Sequence, residues 1–86
     1  MRRDAEFFGE RELPLIYIAK RLKDALALEK MLTDAGLDYL VETDTYRGGI
    51  IFASERVGAF FYVAPEQEQE ARQALVAHGW KPYATR

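Results

Sequence analysis

The chain has 86 residues, 49% of them hydrophobic and 30% charged, the balance of one compact domain, since a split would leave two pieces too small for separate cores. Its net charge is −2 with a pI of 5.4, so the overall field repels nucleic acid and anionic membranes, and a polyanion would have to be met by a local patch. The absence of cysteine excludes a disulfide framework, a thiolate nucleophile and a cysteine-based zinc site; without a secretory signal or a long apolar run, a cytoplasmic location and no membrane segment are expected.

Residues 1–12 are charge-rich around Phe7-Phe8 and read as an N-terminal arm, leaving 13–86 as the single domain. After Pro14, Leu15 to Ala19 is an uninterrupted apolar run that reads as a central strand buried on both faces. From Leu22 to Ala35 the apolar set Leu22, Ala25, Leu26, Leu28, Met31, Leu32 and Ala35 recurs at three and four residues, which predicts an amphipathic helix. Gly36 is expected to end it in the left-handed conformation, with Leu37 folding back on the last turn.

Asp38 to Asp44 alternates as a half-buried strand does, Tyr46-Arg47-Gly48-Gly49 reads as a hairpin turn, and Ile50 to Ala53 as the returning strand. Ser54-Glu55-Arg56 then reads as a bend before a third run, Val57 to Val63, in which Gly58 suggests a bulge. Pro65 with Glu66, Glu68 and Glu70 opens a second helix, because proline loses no bond there and acids complement the positive dipole end. Its expected buried stripe is Ala71, Ala74, Leu75 and His78. Gly79-Trp80 repeats the ending seen at Gly36-Leu37, and Lys81 to Tyr83 is a candidate last edge strand. The series predicts an α+β chain, a ferredoxin-like α/β plait with a mainly antiparallel sheet and two helices on one face.

Catalytic chemistry finds no constellation. His78 is the sole histidine and Ser54 the sole serine, so neither a nucleophile with its base nor a set of zinc donors assembles from the spacing, and no enzyme activity or cofactor is expected. The glutamates at the second helix start complement its dipole. Arg47 with Gly48 and Gly49 could offer a guanidinium and backbone amides to an anion, set against the simpler reading of a turn that needs positive φ.

The unusual feature is the apolar character of both strand parities. Leu15 and Tyr17 alternate with Ile16 and Ile18, Ile50 and Phe52 with Ile51 and Ala53, and Ala59, Phe61 and Val63 with Phe60 and Tyr62. Two helices on one face cover only half of these side chains. A second face carrying Tyr17, Phe60, Tyr62 and Phe52 or Ile51 would leave more apolar surface wet than a monomer usually does. The covers to consider are a second copy of the sheet, the arm with Phe7 and Phe8, or a flat ligand. A homo-oligomer, with a dimer favoured, is expected on the prevalence of symmetric homodimers, and an unidentified protein or small molecule is the other partner class.

Two stretches carry a family resemblance. Ala25-x-x-Leu28-x-x-Met31-Leu32-x-x-Ala35-Gly36-Leu37 and Tyr62-Val63-Ala64-Pro65-Glu66, leading to Glu70-Ala71, resemble a family of prokaryotic signal-transducing proteins related to the nitrogen-regulatory PII proteins. That resemblance implies a ferredoxin-like fold and a regulatory or ligand-sensing module, with no catalytic residues. Ile16-Tyr17-Ile18 and Arg56, Ala59 and Phe60 are similar to the strand motifs of the RNA-recognition motif, which stacks bases on sheet-face aromatics. Single-stranded RNA binding is therefore the alternative, with Lys20, Arg21, Lys23 and Arg47 as its candidate basic patch; the acidic balance ranks nucleic acid behind self-association.

Overall fold

The computed structural model describes residues 1–48 and 54–84. They run β1 (Arg2–Arg3), α1 (Ala5–Phe8), β2 (Leu15–Ala19), α2 (Leu22–Asp34), β3 (Tyr39–Gly48), β4 (Ser54–Val63) and α3 (Glu68–Ala77), with a 3-10 turn at Pro65–Gln67 leading into α3. The four strands form one mixed sheet in the order β1-β3-β4-β2. β4 is antiparallel to both β3 and β2, and β1 is parallel to β3. This is a small α+β architecture compatible with an α/β plait.

The two long helices supply one apolar layer. Ala25, Leu28, Met31 and Leu32 of α2 and Ala71 and Leu75 of α3 form one buried cluster with Ile16, Ala19, Leu37, Tyr39, Phe61 and Val63. Leu22 and Leu26 stay 76% and 56% exposed, so the buried stripe of α2 is narrower than its apolar spacing suggests. At 3.6 residues per turn, Leu26 lies roughly 140° around the axis from the Leu28–Leu32 line. His78 likewise falls off the buried stripe of α3: it is exposed, with Nδ1 2.9 Å from the Ala74 carbonyl oxygen.

Both helix ends follow the glycine logic. Gly36 and Gly79 have φ of 77° and 84°, and Leu37 N–H donates to the Leu32 carbonyl at 3.0 Å as Trp80 N–H does to Leu75 at 2.8 Å. These bonds close the last turn and tuck an apolar residue under it.

The strands depart from expectation in three places. The irregularity of register lies in β2 between Leu15 and Tyr17, whereas Gly58 pairs in regular register with Asp44. Because Ile16 is the extra residue there, both Ile16 and the following Tyr17 turn to the helix side. Second, β3 continues through Tyr46, Arg47 and Gly48, which pair with Arg56, Glu55 and Ser54. The turn expected from Tyr46 is thus replaced by ladder through Gly48, as is the bend expected at 54–56, and Gly49 and the strand expected at 50–53 lie outside the described residues.

Third, the N-terminal arm adds a short strand to the sheet. Arg2 and Arg3 pair with Tyr39 and Leu40 at the sheet edge, and the Tyr39 amide donates to the Met1 carbonyl at 3.1 Å. Asp4 caps α1 by accepting from the Phe7 amide, and Phe8 is only 5% exposed.

At the other end of the chain, Lys81 to Tyr83 is not a strand, although the Tyr83 amide donates to the Ile16 carbonyl at 2.7 Å. Arg72 fastens this tail: its guanidinium donates to the carbonyls of Tyr83 at 2.6 Å and Leu15 at 3.1 Å, and to Glu68 at 2.9 Å.

Candidate functional site: the open sheet face

Register decides which side chains share the face opposite α2 and α3. Directly opposed residues of a ladder point the same way. Phe60 is flanked by Ile18 of β2 and Glu42 of β3, and Tyr62 by Leu15 and Leu40. These two rows alternate with Phe61 and Val63, which are buried on the helix side. Phe60 and Tyr62 are therefore neighbours on the open face, joined by Ile18, Leu40 and Leu15, all half-buried.

Tyr17 does not join them. It pairs with Phe61, packs on the helix-side core, and meets Trp80 edge to face with ring centroids 5.6 Å apart. Of the expected face residues, Phe52 lies outside the described residues. Ile18 and Leu40 take the place of Tyr17; the alternation of Leu40 against Tyr39 and Val41 was the signal that pointed to Leu40.

An acidic rim borders the aromatics. By register Glu42 and Asp44 lie on the open-face side, opposite Phe60 and Gly58; burial, and then the charges of these two carboxylates, raise the Tyr62 phenol above its ordinary value. Asp44 also accepts a hydrogen bond from the Thr45 amide at 2.7 Å.

The basic elements lie elsewhere. Arg47 and Gly48 sit in the β3 ladder opposite Glu55 and Ser54, a regular strand and not an amide nest, and Gly49 lies outside the described residues. Lys20, Arg21 and Lys23 follow the far end of β2.

Beyond the Ala19–Ala59 pair, β2 no longer accompanies β4. Residues 44–48 and 54–58 pair only with one another among the described residues, so the hairpin continues as a two-stranded ribbon. Val57, of helix-side parity, is 67% exposed there, because the ribbon runs past the helical layer. Among the described residues no group of three His, Asp or Glu side chains could hold a metal ion, and no helix is long and apolar enough to cross a membrane. Comparison with protein-family models, with curated protein sequences and with solved structures gave no significant match.

Proposed function

We propose that this chain is a non-catalytic regulatory or ligand-sensing module of the ferredoxin-like type that self-associates through its open sheet face. The observation that carries the reading is the continuous row of Leu15, Ile18, Leu40, Phe60 and Tyr62 on the face that neither long helix covers. The fold assignment is supported by the β2-α2-β3-β4-α3 order with β4 between β3 and β2, and by the Tyr83 amide bonding at the outer edge of β2, where a final strand of the plait would lie. The regulatory role follows from the resemblance to the PII-related proteins, whose similar stretches here are the capped end of α2 and the passage from β4 into α3.

Size sets the expected strength. Three strands about 4.8 Å apart and five residues at about 3.4 Å each give a footprint of roughly 240 Å² in projection, small beside the ~800 Å² per partner of a standard interface. Self-association of the weak, transient class is expected, with Phe60 at its centre. RNA binding is the weaker reading, since Glu42 and Asp44 border the aromatics where a phosphate backbone would have to run.

The test is isotope-filtered NMR on mixed labelled and unlabelled wild-type protein. Contacts between the Ile18 or Leu40 methyls of one copy and Phe60 of another are expected. Intermolecular contacts confined to other surfaces, or none in a sample that is monomeric at tens of micromolar, would remove self-association and leave the face to a ligand.

A further inference from the structure

Phe8 and Ala64 are buried, at 5% and 7% exposure, yet neither belongs to the helix-side core. They line one crevice with Arg11, Asp38 and Gln67. Their side of the sheet can be read from β1. Arg2 pairs with Tyr39 and forms an ion pair with Glu29 of α2 at 3.6 Å, so Arg2 faces the helices and Arg3, beside Leu40, faces away. The Arg3 guanidinium lies 4.5 Å from the Phe7 ring centroid and donates to Asp38 at 2.9 Å. A second crevice sets Asp4 and Ala5 beside Leu40 and Glu42. The segment from β1 to β2 thus starts beside Leu40 on the open side and passes the Asp38–Ala64 end of the sheet to reach β2.

We infer that residues 1–12 form an intramolecular strap over one end of the open face, competing with a second copy for Leu40 and Tyr62, so that its release enlarges the self-association surface. The inference rests on the proposed self-association for its partner. Polar contacts hold the strap at both ends, the Met1 ammonium and Arg3 on Asp38, Arg2 on Glu29 and a forked pairing of Arg11 with Glu66, and Phe8 is its only buried side chain. β1 adds just two paired residues. Such a contact is light enough to open without unfolding the helix-side core, because local opening follows the number of buried apolar contacts. A face with a small footprint gains most from uncovering one end.

The experiment compares wild type with Phe8→Ala and with Arg3→Ala/Arg11→Ala. Hydrogen exchange at the Tyr39 amide, bonded to the Met1 carbonyl, reads strap release; hydroxyl-radical footprinting of Tyr62 reads exposure of the face, and sedimentation reads self-association. Both variants are expected to exchange Tyr39 at least tenfold faster, with Phe61 and Val63 amides unchanged, to label Tyr62 more heavily, and to dimerise several-fold more tightly. The gain is limited by the closed-to-open ratio of the strap.

Unchanged Tyr39 exchange in both variants would overturn the strap, and so would faster exchange with unchanged Tyr62 labelling. Released, labelled variants that associate no more tightly than a self-associating wild type would overturn the competition. If wild type and variants are all monomeric while Tyr39 and Tyr62 respond as expected, the self-association reading fails and the strap stands as the cover of that face.

Discussion

Phe60 and Phe61 are adjacent in sequence and lie on opposite sides of one sheet. The helix side is covered by α2 and α3, and Phe61 and Val63 at its centre have no accessible surface left. On the other side Phe60 and Tyr62 keep part of theirs, with apolar neighbours on both flanking strands and two carboxylates beside them. The first face stabilises the domain; the second is what it offers to others. Exposed apolar residues inform most when several share a surface: Leu22, Leu26 and Val76 are more exposed than Phe60, but Leu22 and Leu26 make only a two-residue patch one turn apart on α2, with Lys23 and Lys30 nearby in the sequence, and Val76 lies on the other helix.

Alanine substitutions sharpen this comparison. Phe61→Ala should destabilise the monomer by about 3–5 kcal/mol, as truncation of a fully buried aromatic does, whereas Phe60→Ala should cost about 1 kcal/mol, since less of its surface leaves water on folding. Equal costs in urea denaturation of the monomer would break the distinction between the faces. Leu32→Ala should cost about 2–5 kcal/mol, and Leu26→Ala, on the same helix but exposed, should stay within about 0.5 kcal/mol. A large loss at Leu26 would mean that a partner covers the outside of α2.

Arg72 tests how far the closed face depends on polar fastening. Removing its bonds to the Leu15 and Tyr83 carbonyls should cost about 1.5–3 kcal/mol, and Arg72→Lys should restore only part of that, because an ammonium cannot reproduce the planar fork. Full rescue by lysine would show that charge alone matters there.

The smallest effect concerns the strap. The Arg11 guanidinium, through its hydrogen bonds, holds the Glu66 carboxyl at about 2, below its ordinary 4.5. A folded-state value below the unfolded one stabilises above the unfolded value, and that contribution disappears as pH falls from about 4.5 towards about 2. Both groups are solvent-exposed, so salt should weaken the effect. Arg11→Ala should flatten the stability profile in that window at low ionic strength; an identical profile would show that the clasp is not formed in solution.

The glycine-capped helices were legible because their causes are local: a buried stripe at helical spacing, and a left-handed glycine followed by an apolar residue. Tyr17 was misplaced because the extra residue at Ile16 arises only when β2 pairs with β4, and a one-residue slip exchanges the two faces. The arm with Phe7 and Phe8 is among the covers the sequence offers for that face, but its pairing as β1 is not legible for a similar reason. Two arginines carry no strand periodicity, and they become a strand only where the β3 edge presents Tyr39 and Leu40. Phe60 and Tyr62 were placed together because no irregularity interrupts β4. Tyr46, Arg47 and Gly48 read as turn residues by composition, while the ladder carries them as strand residues.

The central claim, that the open face binds a second copy, is tested most directly by light scattering over a concentration series on wild type, Phe60→Lys and Val76→Lys. A lysine at the centre of the contact leaves a charge without a partner in a desolvated place, which an exposed helix position does not. Wild type and Val76→Lys should rise from monomer to dimer mass across the micromolar range, and Phe60→Lys should remain monomeric with an unaltered far-ultraviolet circular dichroism spectrum. A wild type that stays monomeric at tens of micromolar, or a Phe60→Lys variant that dimerises as wild type does, would contradict it.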